Sequence, residues 1–295
     1  MIKKIFLLML VGLIGGCTNL VKNPTDIKKS FVQIRKSVEV QVCGENDFSK
    51  TNECKNLMTL RSTGSGSVVW NEYYLGSSPR TLILTAEHVC ASEEMKFEDF
   101  DVSAHMHIKN KMGFSKKVEI ITKPKMVAVN SEGISFPIRK RPWATNVHTD
   151  TCVLETSMNA PILNIGTKPE YGESVLNIAA PNGIYFTNKS GGGVFYTEGF
   201  YNGEFVMDTN KIFSMYNIVA APGSSGSPVL NQNGDIIGMV HSIDSRYCNL
   251  ITSQCNSPVT YSATVEQVEA TIKAALAAIK RGDAIRFDYS RIKSQ

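Results

Sequence analysis

The feature that most constrains this chain is its rhythm. Short β-prone runs follow one another along most of its length, each bounded by Gly, Asn or Pro. Ser37-Val38-Glu39-Val40-Gln41-Val42 alternates between apolar and polar side chains, the period of a half-buried strand. Further strands are expected at 68–70, 81–85, 104–108, 118–121, 126–129, 152–154, 175–179, 194–198, 204–207, 212–219, 228–230, 236–241 and 259–262. So many short strands point to barrels or sandwiches, and no repeat of fixed period appears. One strong helix stands near the end. Thr264-Val265-Glu266-Gln267 fits a capping box, Val265, Val268, Ile272, Leu276 and Ile279 recur at helical spacing, and Gly282 ends the run. A shorter helical stretch is expected within 26–34, capped by Asp26. With 295 residues, 42% of them hydrophobic, the chain can bury one large or two small cores.

The start stands apart from this pattern. Lys3 and Lys4 precede an apolar run over 5–14, and Gly15-Gly16-Cys17 follows. A basic start, a short apolar stretch and small residues make a secretory signal, and the run is short for a membrane span. Ile14-Gly15-Gly16-Cys17 resembles the lipobox of bacterial lipoproteins. The resemblance implies cleavage before Cys17, acylation of its thiol and new amine by palmitate-type chains, and a lipid bilayer as partner. Thr18, where Asp is usual for inner-membrane retention, favours an outer membrane if the host has one. The expected organisation is a signal peptide over 1–16, a lipidated tether over 17–30, one domain over 31–282 and a polar, frayed tail over 283–295. The expected location is exported and lipid-anchored, at the periplasmic face of an outer membrane or the cell surface. Lys3 and Lys4 carry two of the +4 net charges, so no strongly basic surface remains to suggest a nucleic-acid partner.

With Cys17 taken by lipid, Cys43, Cys54, Cys90, Cys152, Cys248 and Cys255 remain. An even number in an exported chain reads as disulfides. Sequence proximity suggests Cys43–Cys54 and Cys248–Cys255, leaving Cys90 with Cys152, one pairing among many. Without a Cys-x-x-Cys pair, zinc is not expected, and no cofactor is implied. His105-Met106-His107 sets two imidazoles on one strand face, too few ligands for a metal site.

Ala221-Pro222-Gly223-Ser224-Ser225-Gly226-Ser227-Pro228-Val229 is a tight turn of small residues between apolar segments. Such a turn can push the Ser225 hydroxyl outward and aim the N–H groups of Gly223 and Ser225 at one point beside it, an arrangement suited to acyl transfer. His88 ends a β-run in Leu84-Thr85-Ala86-Glu87-His88-Val89-Cys90, and Asp150 opens another in Asp150-Thr151-Cys152-Val153-Leu154. In this order the chain resembles the trypsin-like (chymotrypsin-fold) serine peptidases, in their bacterial branch of glutamyl endopeptidases and HtrA-type proteases. Thr85-Ala86-Glu87-His88 differs from Thr-Ala-Ala-His only at Glu87, and Gly223-Ser224-Ser225-Gly226-Ser227-Pro228 keeps every fixed position of Gly-x-Ser-Gly-x-Pro. Gly64-Ser65-Gly66-Ser67-Val68-Val69, the segment from Tyr171-Gly172-Glu173 to Ala180-Pro181-Asn182-Gly183, and Gly234-Asp235-Ile236-Ile237-Gly238-Met239-Val240 continue the likeness over about 37–280.

The resemblance implies an all-β fold of two six-stranded antiparallel barrels with a C-terminal helix and the site between the barrels. It implies His88 as base, Asp150 as its orienting acid, Ser225 as nucleophile, and the Gly223 and Ser225 amides as oxyanion donors. A protein or peptide substrate follows. Asp99 and Asp101 are rivals to Asp150, whose Asp-x-small-x-Leu context fits better. If His88 and Asp150 touch, Cys90 and Cys152 beside them must also be close. Val219 and His241 are candidates for the substrate pocket. Val219 stands where an acid marks trypsin-like preference, and His241 stands where Ser or Thr usually backs the triad, so it can touch Asp150, line the pocket or serve the structure alone. Ser224 replaces the Asp that pairs with a freshly cut N-terminus in digestive enzymes, so activation of that kind is not expected. Gly191-Gly192-Gly193 reads as a loop near the site. No PDZ-like domain is expected after the terminal helix. A rival reading is a catalytically silent binding or scaffolding lipoprotein on the same fold. An α/β lipase is disfavoured, because that fold runs Ser, acid, His.

Overall fold

The computed structural model describes residues 24–45, 52–72, 79–90, 119–139, 141–181, 194–206, 211–243, 248–249, 254–255, 259–283 and 285–286. The signal segment with Cys17, the strand expected at 104–108, Asp99, Asp101, His105, His107 and Gly191-Gly192-Gly193 lie outside the described residues. Helix α1 (Pro24–Ser30) leads into β1 (Phe31–Glu45), so the helix expected within 26–34 stops at Ser30. Phe31, Val32 and Ile34 are fully buried as strand residues, and that burial outweighs any local helical preference.

The N-terminal half is a sheet of β1, β2 (Asn52–Glu72), β3 (Arg80–Ala86), β4 (Glu119–Val129), β5 (Ser135–Pro137), β6 (Ala144–Asn146), β7 (Thr151–Thr156) and β16 (Ile285–Arg286). Six of these run β7-β3-β2-β1-β4-β5, and a bridge from Ile138 to Thr156 brings the β5 end back to β7. The two-residue β16 pairs in parallel with β6, so the expected frayed tail begins with a short paired segment. The strands expected at 118–121 and 126–129 are one strand, β4. Pro124 pairs with Val38 of β1, while β5 meets β4 only from Val127 onward. At Pro124 β4 is thus an edge strand, the kind of position in a sheet that tolerates proline.

The C-terminal half closes as a six-stranded barrel, β10-β15-β12-β11-β8-β9. Its strands are β8 (Ser174–Ala179), β9 (Phe195–Val206), β10 (Ile212–Tyr216), β11 (Pro228–Leu230), β12 (Ile236–Ile243) and β15 (Thr260–Thr264). The runs expected at 194–198 and 204–207 fuse into β9, which pairs with β8 through Phe200 and with β10 from Tyr201 onward. The larger core lies in the N-terminal half and extends to Ile178, Leu230 and Met239 of the barrel, and a smaller one lies within the barrel. Phe31, Ile34, Leu82, Leu84 and Leu154 belong to one, and Tyr201, Tyr216, Ile218, Val229 and Ile237 to the other.

Between the last barrel strands, β13 (Cys248–Asn249) and β14 (Gln254–Cys255) set Cys248 opposite Cys255 in register; their side chains lie outside the described ones. Cys43–Cys54 and Cys90–Cys152 are disulfide-bonded. After α2 (Glu87–Cys90), the third helix, α3 (Val265–Arg281), carries the complete capping box of Thr264 and Gln267 and stops at Gly282 in the left-handed conformation. Val268, Ile272 and Ala275 on its buried face join the N-terminal core, so α3 straps the second half of the chain onto the first.

Candidate active site

The Ser225 turn is held almost entirely by backbone hydrogen bonds. Ser224 N–H donates to Ala221 C=O at 2.9 Å, Ser227 N–H to Ser224 C=O at 2.9 Å, and Gly226 N–H to Val240 C=O at 2.8 Å. From the other lobe, Ser65 N–H donates to Ser225 C=O at 2.8 Å, and the Ser65 hydroxyl donates to Gly223 C=O at 2.7 Å. Among the described residues, the N–H groups of Gly223 and Ser225 are the two in this turn without a partner. Gly223 and Gly226 sit at φ 95° and 86°, where a side chain is strained. At Gly226 a Cβ would also lie 2.2 Å from Ser65 C=O and from the Thr85 hydroxyl, so the turn can pack against β2 and β3 only with glycine there.

His88 stands on α2, directly after β3. Asp150 stands directly before β7, which pairs with β3. The pairing brings the two together, and the Cys90–Cys152 disulfide spans the same neighbourhood with a Cα separation of 6.5 Å. Asp150 Oδ1 accepts the His88 backbone N–H at 2.9 Å, and Oδ2 lies 2.7 Å from His88 Nδ1. The turn before it is shaped by Asn146, whose Oδ1 accepts the N–H groups of His148 and Thr149. Asp150 leaves that turn at φ 51°, a conformation that Asp tolerates better than most residues.

A second imidazole shares the same oxygen. His241 of β12, from the C-terminal barrel, places Nδ1 2.6 Å from Asp150 Oδ2. Its ring stacks on Phe213 of β10, with centroids 4.8 Å apart and planes 14° apart. Because a carboxylate only accepts, both Nδ1 atoms carry hydrogens, and in a neutral ring of this tautomer the lone pair is on Nε2. Burial raises the Asp150 pKa, yet the bonds from His241 and His88 outweigh it and hold the carboxyl at about 2. The bond to Asp150 pushes the His88 pKa above its ordinary 6.5, against the opposing effect of burial. Ligand atoms of His88, Asp150 and His241 all lie within 4.8 Å of one another, close enough for a cation in principle. Here the facing nitrogens are spent on the carboxylate.

His88 and Ser225 line one cavity of about 230 Å³, together with Gly223, Gly64, Thr63 and Lys36. No hydrogen bond joins the Ser225 hydroxyl to His88 among the described residues. Val219 and His241 do not line this cavity. Val219 is 57% exposed, and His241 turns to Asp150 instead. The motifs assign no role to Ser65 or Lys36. Ser65 pins the nucleophile turn through two hydrogen bonds, and its hydroxyl also accepts the Ala180 N–H at 3.1 Å. Its position inside Gly64-Ser65-Gly66, where small residues permit close approach, is the signal that could have pointed to it.

The family model of the trypsin-like peptidase domain matches residues 64–239, which spans His88, Asp150 and Ser225. This chain belongs to the trypsin-like peptidase family. A search of curated proteins finds no match for this trypsin-like peptidase. Among solved structures it resembles the serine endoprotease from Yersinia pestis, with a TM-score of 0.51 and 14% identity over 86% of this chain and 65% of that one. It also resembles the HtrA-type protease AlgW with decapeptide, with a TM-score of 0.56 and 14% identity over 88% of this chain and 67% of that one. The peptidase thus spans about two thirds of these neighbours' length, and at such identity the likeness is one of fold.

Proposed function

We propose that this peptidase is a lipid-anchored serine endopeptidase working through an acyl-enzyme. The observation that carries the reading is the 2.7 Å contact between Asp150 Oδ2 and His88 Nδ1, beside a cavity that His88 shares with Ser225. Asp150 fixes the tautomer in which His88 Nε2 is free to accept a proton. As Ser225 Oγ bonds to the scissile carbonyl carbon, His88 Nε2 takes its proton. The carbonyl oxygen, now negative, is received by the Gly223 and Ser225 N–H groups, each worth about 2.7–4 kcal/mol by analogy with other oxyanion donors. The C–N bond breaks, His88 protonates the departing amine, and an ester remains on Ser225. Water then attacks the ester, giving its proton to His88, and the acid product and free Ser225 are restored. The decapeptide named with AlgW supports a peptide substrate.

A fluorophosphonate probe tests the chemistry. Labelling of the wild-type chain is expected, and it is expected to vanish in Ser225→Ala and His88→Ala. A folded wild-type protein that takes no label would leave only a binding module. Anchoring is proposed from Ile14-Gly15-Gly16-Cys17. Metabolic labelling with a palmitate analogue tests it: signal lost in Cys17→Ala supports the anchor, and a wild-type chain recovered unlabelled in the soluble fraction rejects it.

A further inference from the structure

The cavity holding His88 and Ser225 continues into a second one, of about 460 Å³, on the N-terminal lobe. The two share Lys36, Ser62 and Thr63 in their walls. The second cavity is ringed by Arg35, Lys36, Arg61 and Lys125, and no acidic residue lines it among the described residues. The strand register explains the convergence. Ser37 of β1 pairs with Arg61 of β2 on one side and Lys125 of β4 on the other, and Arg35 lies two residues along the same face. Three cations thus surround one small neutral side chain.

Several cations elsewhere on the described surface lie against carboxylates. Arg80 and Arg139 lie against Glu155, Lys168 against Glu204, and Lys273 against Glu269. Arg35, Arg61 and Lys125 make no ion pair among the described residues. Gln33 Oε1 accepts from Arg35 Nε at 2.8 Å, which orients that guanidinium while leaving its other N–H donors available. Glu39, two positions beyond Ser37 on β1, does not line the cavity. Like charges gathered in a concave site raise the local potential and attract anions. The positive field reaches the reacting centre, since the Lys36 charge opposes protonation of His88.

The direction of the cleft sets which part of a substrate meets these charges. The acyl oxygen must face the Gly223 and Ser225 amides, and the leaving amine must come within reach of His88 Nε2. Thr63, Ser62 and Lys36, the walls common to both cavities, offer the chain beyond that amine a way into the basic cavity. Resting on the endopeptidase reading above, we infer that the basic cavity recognises acidic side chains on the leaving-group side of the cut. The peptidase is then selective for protein segments with Asp or Glu within the first few residues after the scissile bond.

The test uses the full chain in detergent and matched peptides that differ only at the residues following the cut, carrying Asp or Glu, Ala, or Lys. An acidic-to-neutral ratio in kcat/KM of about tenfold is expected at low salt, since single exposed pairs are weak and several must act together. The ratio is expected to shrink towards one above roughly 0.5 M salt, where screening is strong. In Arg35→Glu/Arg61→Glu the ratio is expected to invert in favour of Lys, and in Arg35→Gln/Arg61→Gln to fall to near one. A ratio measured on one enzyme cancels any general loss of activity or folding. A wild-type ratio of one, a preference that survives the reversal, or an acidic preference confined to the acyl side of the cut would overturn the inference.

Fluorescence anisotropy of the same peptides on Ser225→Ala reads the cavity without turnover. Tighter binding of the acidic peptide, lost on charge reversal, supports the site even if the wild type takes no fluorophosphonate. Equal binding of all peptides, with reversal-sensitive binding to phosphatidylglycerol vesicles instead, would reassign the patch to a lipid surface and reject it.

Discussion

The two lobes hold their shares of the site by different means. In the C-terminal barrel, Ser225 is placed by backbone hydrogen bonds and two glycines at positive φ, inside a closed barrel. In the N-terminal lobe, the β3–β7 ladder brings His88 and Asp150 together and side chains then fix them. A disulfide joins their neighbourhoods, and the carboxylate bonds both the His88 ring and its backbone N–H. Besides the Ser65 bonds to the Ser225 turn, the lobes share one charged atom, Asp150 Oδ2, which receives His88 from its own lobe and His241 from the other. Ser225 is therefore protected against most side-chain changes, while His88 and Asp150 depend on a few charged contacts. The two imidazoles also differ: the His88 side chain is 50% exposed and opens on the cavity, whereas that of His241 is 24% exposed and stacked on Phe213.

Truncating each imidazole breaks that comparison most sharply. His88→Ala removes the base, and kcat/KM on a peptide substrate is expected to fall by a factor on the order of 10⁶, as for a triad base elsewhere. Equal losses in His88→Ala and His241→Ala would show that the division between base and support is wrong. Next comes Asp150→Asn, which keeps the size and the tolerance of φ 51° but loses the charge. An amide in that place can offer its N–H₂ to His88 Nδ1 and favour the wrong tautomer, and a fall of about 10⁴-fold in kcat is expected. A fall of less than tenfold would assign the orienting role to another group.

His241→Ala sharpens the comparison at lower amplitude. It removes one of two donors on Oδ2, and a hydrogen bond to a charged group is worth about 1.5–3 kcal/mol, so a loss of at least about tenfold in kcat/KM is expected. With Oδ2 answering to one imidazole, its hold on His88 strengthens. Wild-type activity already requires neutral His88, whose pKa lies above 6.5, so the acid limb of the pH profile is expected above that value. In His241→Ala the limb is expected to move further up, and His241→Ser, which still donates, to restore part of both effects. An unmoved limb with unchanged kcat/KM would make His241 purely structural. The stability consequences have opposite signs. The raised His88 pKa contributes stability below pH 6.5 that is lost as pH rises through its folded value. The lowered Asp150 pKa contributes stability above its ordinary 3.8, about 2 kcal/mol in size, lost as pH falls towards 2.

How far the sequence could carry this picture differs between the two lobes as well. Local chemistry was legible wherever a short motif fixes its own geometry. The Ser225 turn, the capping box at Thr264 and the strand at Pro228–Leu230 are such cases. Contacts far apart in the chain were legible only in part. The position of His241 allowed contact with Asp150 or a place in the substrate pocket, and the fold sets it on Asp150. Ser65 under Gly223 and the ring of cations around Ser37 were not legible, because their meeting depends on register. Breaks were over-read where Pro124 or Gly203 interrupts a pattern, because a strand that changes partner or lies at an edge tolerates both. Helix was over-read at Phe31, where burial decides.

The mildest probe concerns the strap between the lobes. The Thr264 hydroxyl accepts the Gln267 N–H, Gln267 Oε1 accepts the Thr264 N–H at 2.9 Å, and Gln267 Nε2 donates to Ile212 C=O at 2.9 Å in the C-terminal barrel. One turn further on, the Thr271 hydroxyl lies 2.7 Å from that of Thr151, the residue after Asp150. The helix therefore touches the barrel at its cap and the acid's strand at its second turn. Thr264→Ala removes one cap acceptor and is expected to cost about 1 kcal/mol, lowering Tm by roughly 2–4 °C in a domain of this size. The rate of fluorophosphonate labelling below Tm is expected to stay within about twofold of wild type, since Asp150 is held by its own turn and by two imidazoles; a cap is worth too little to move it. A tenfold drop in labelling with an unchanged Tm would mean that the strap, rather than the shared carboxylate, sets how the lobes meet.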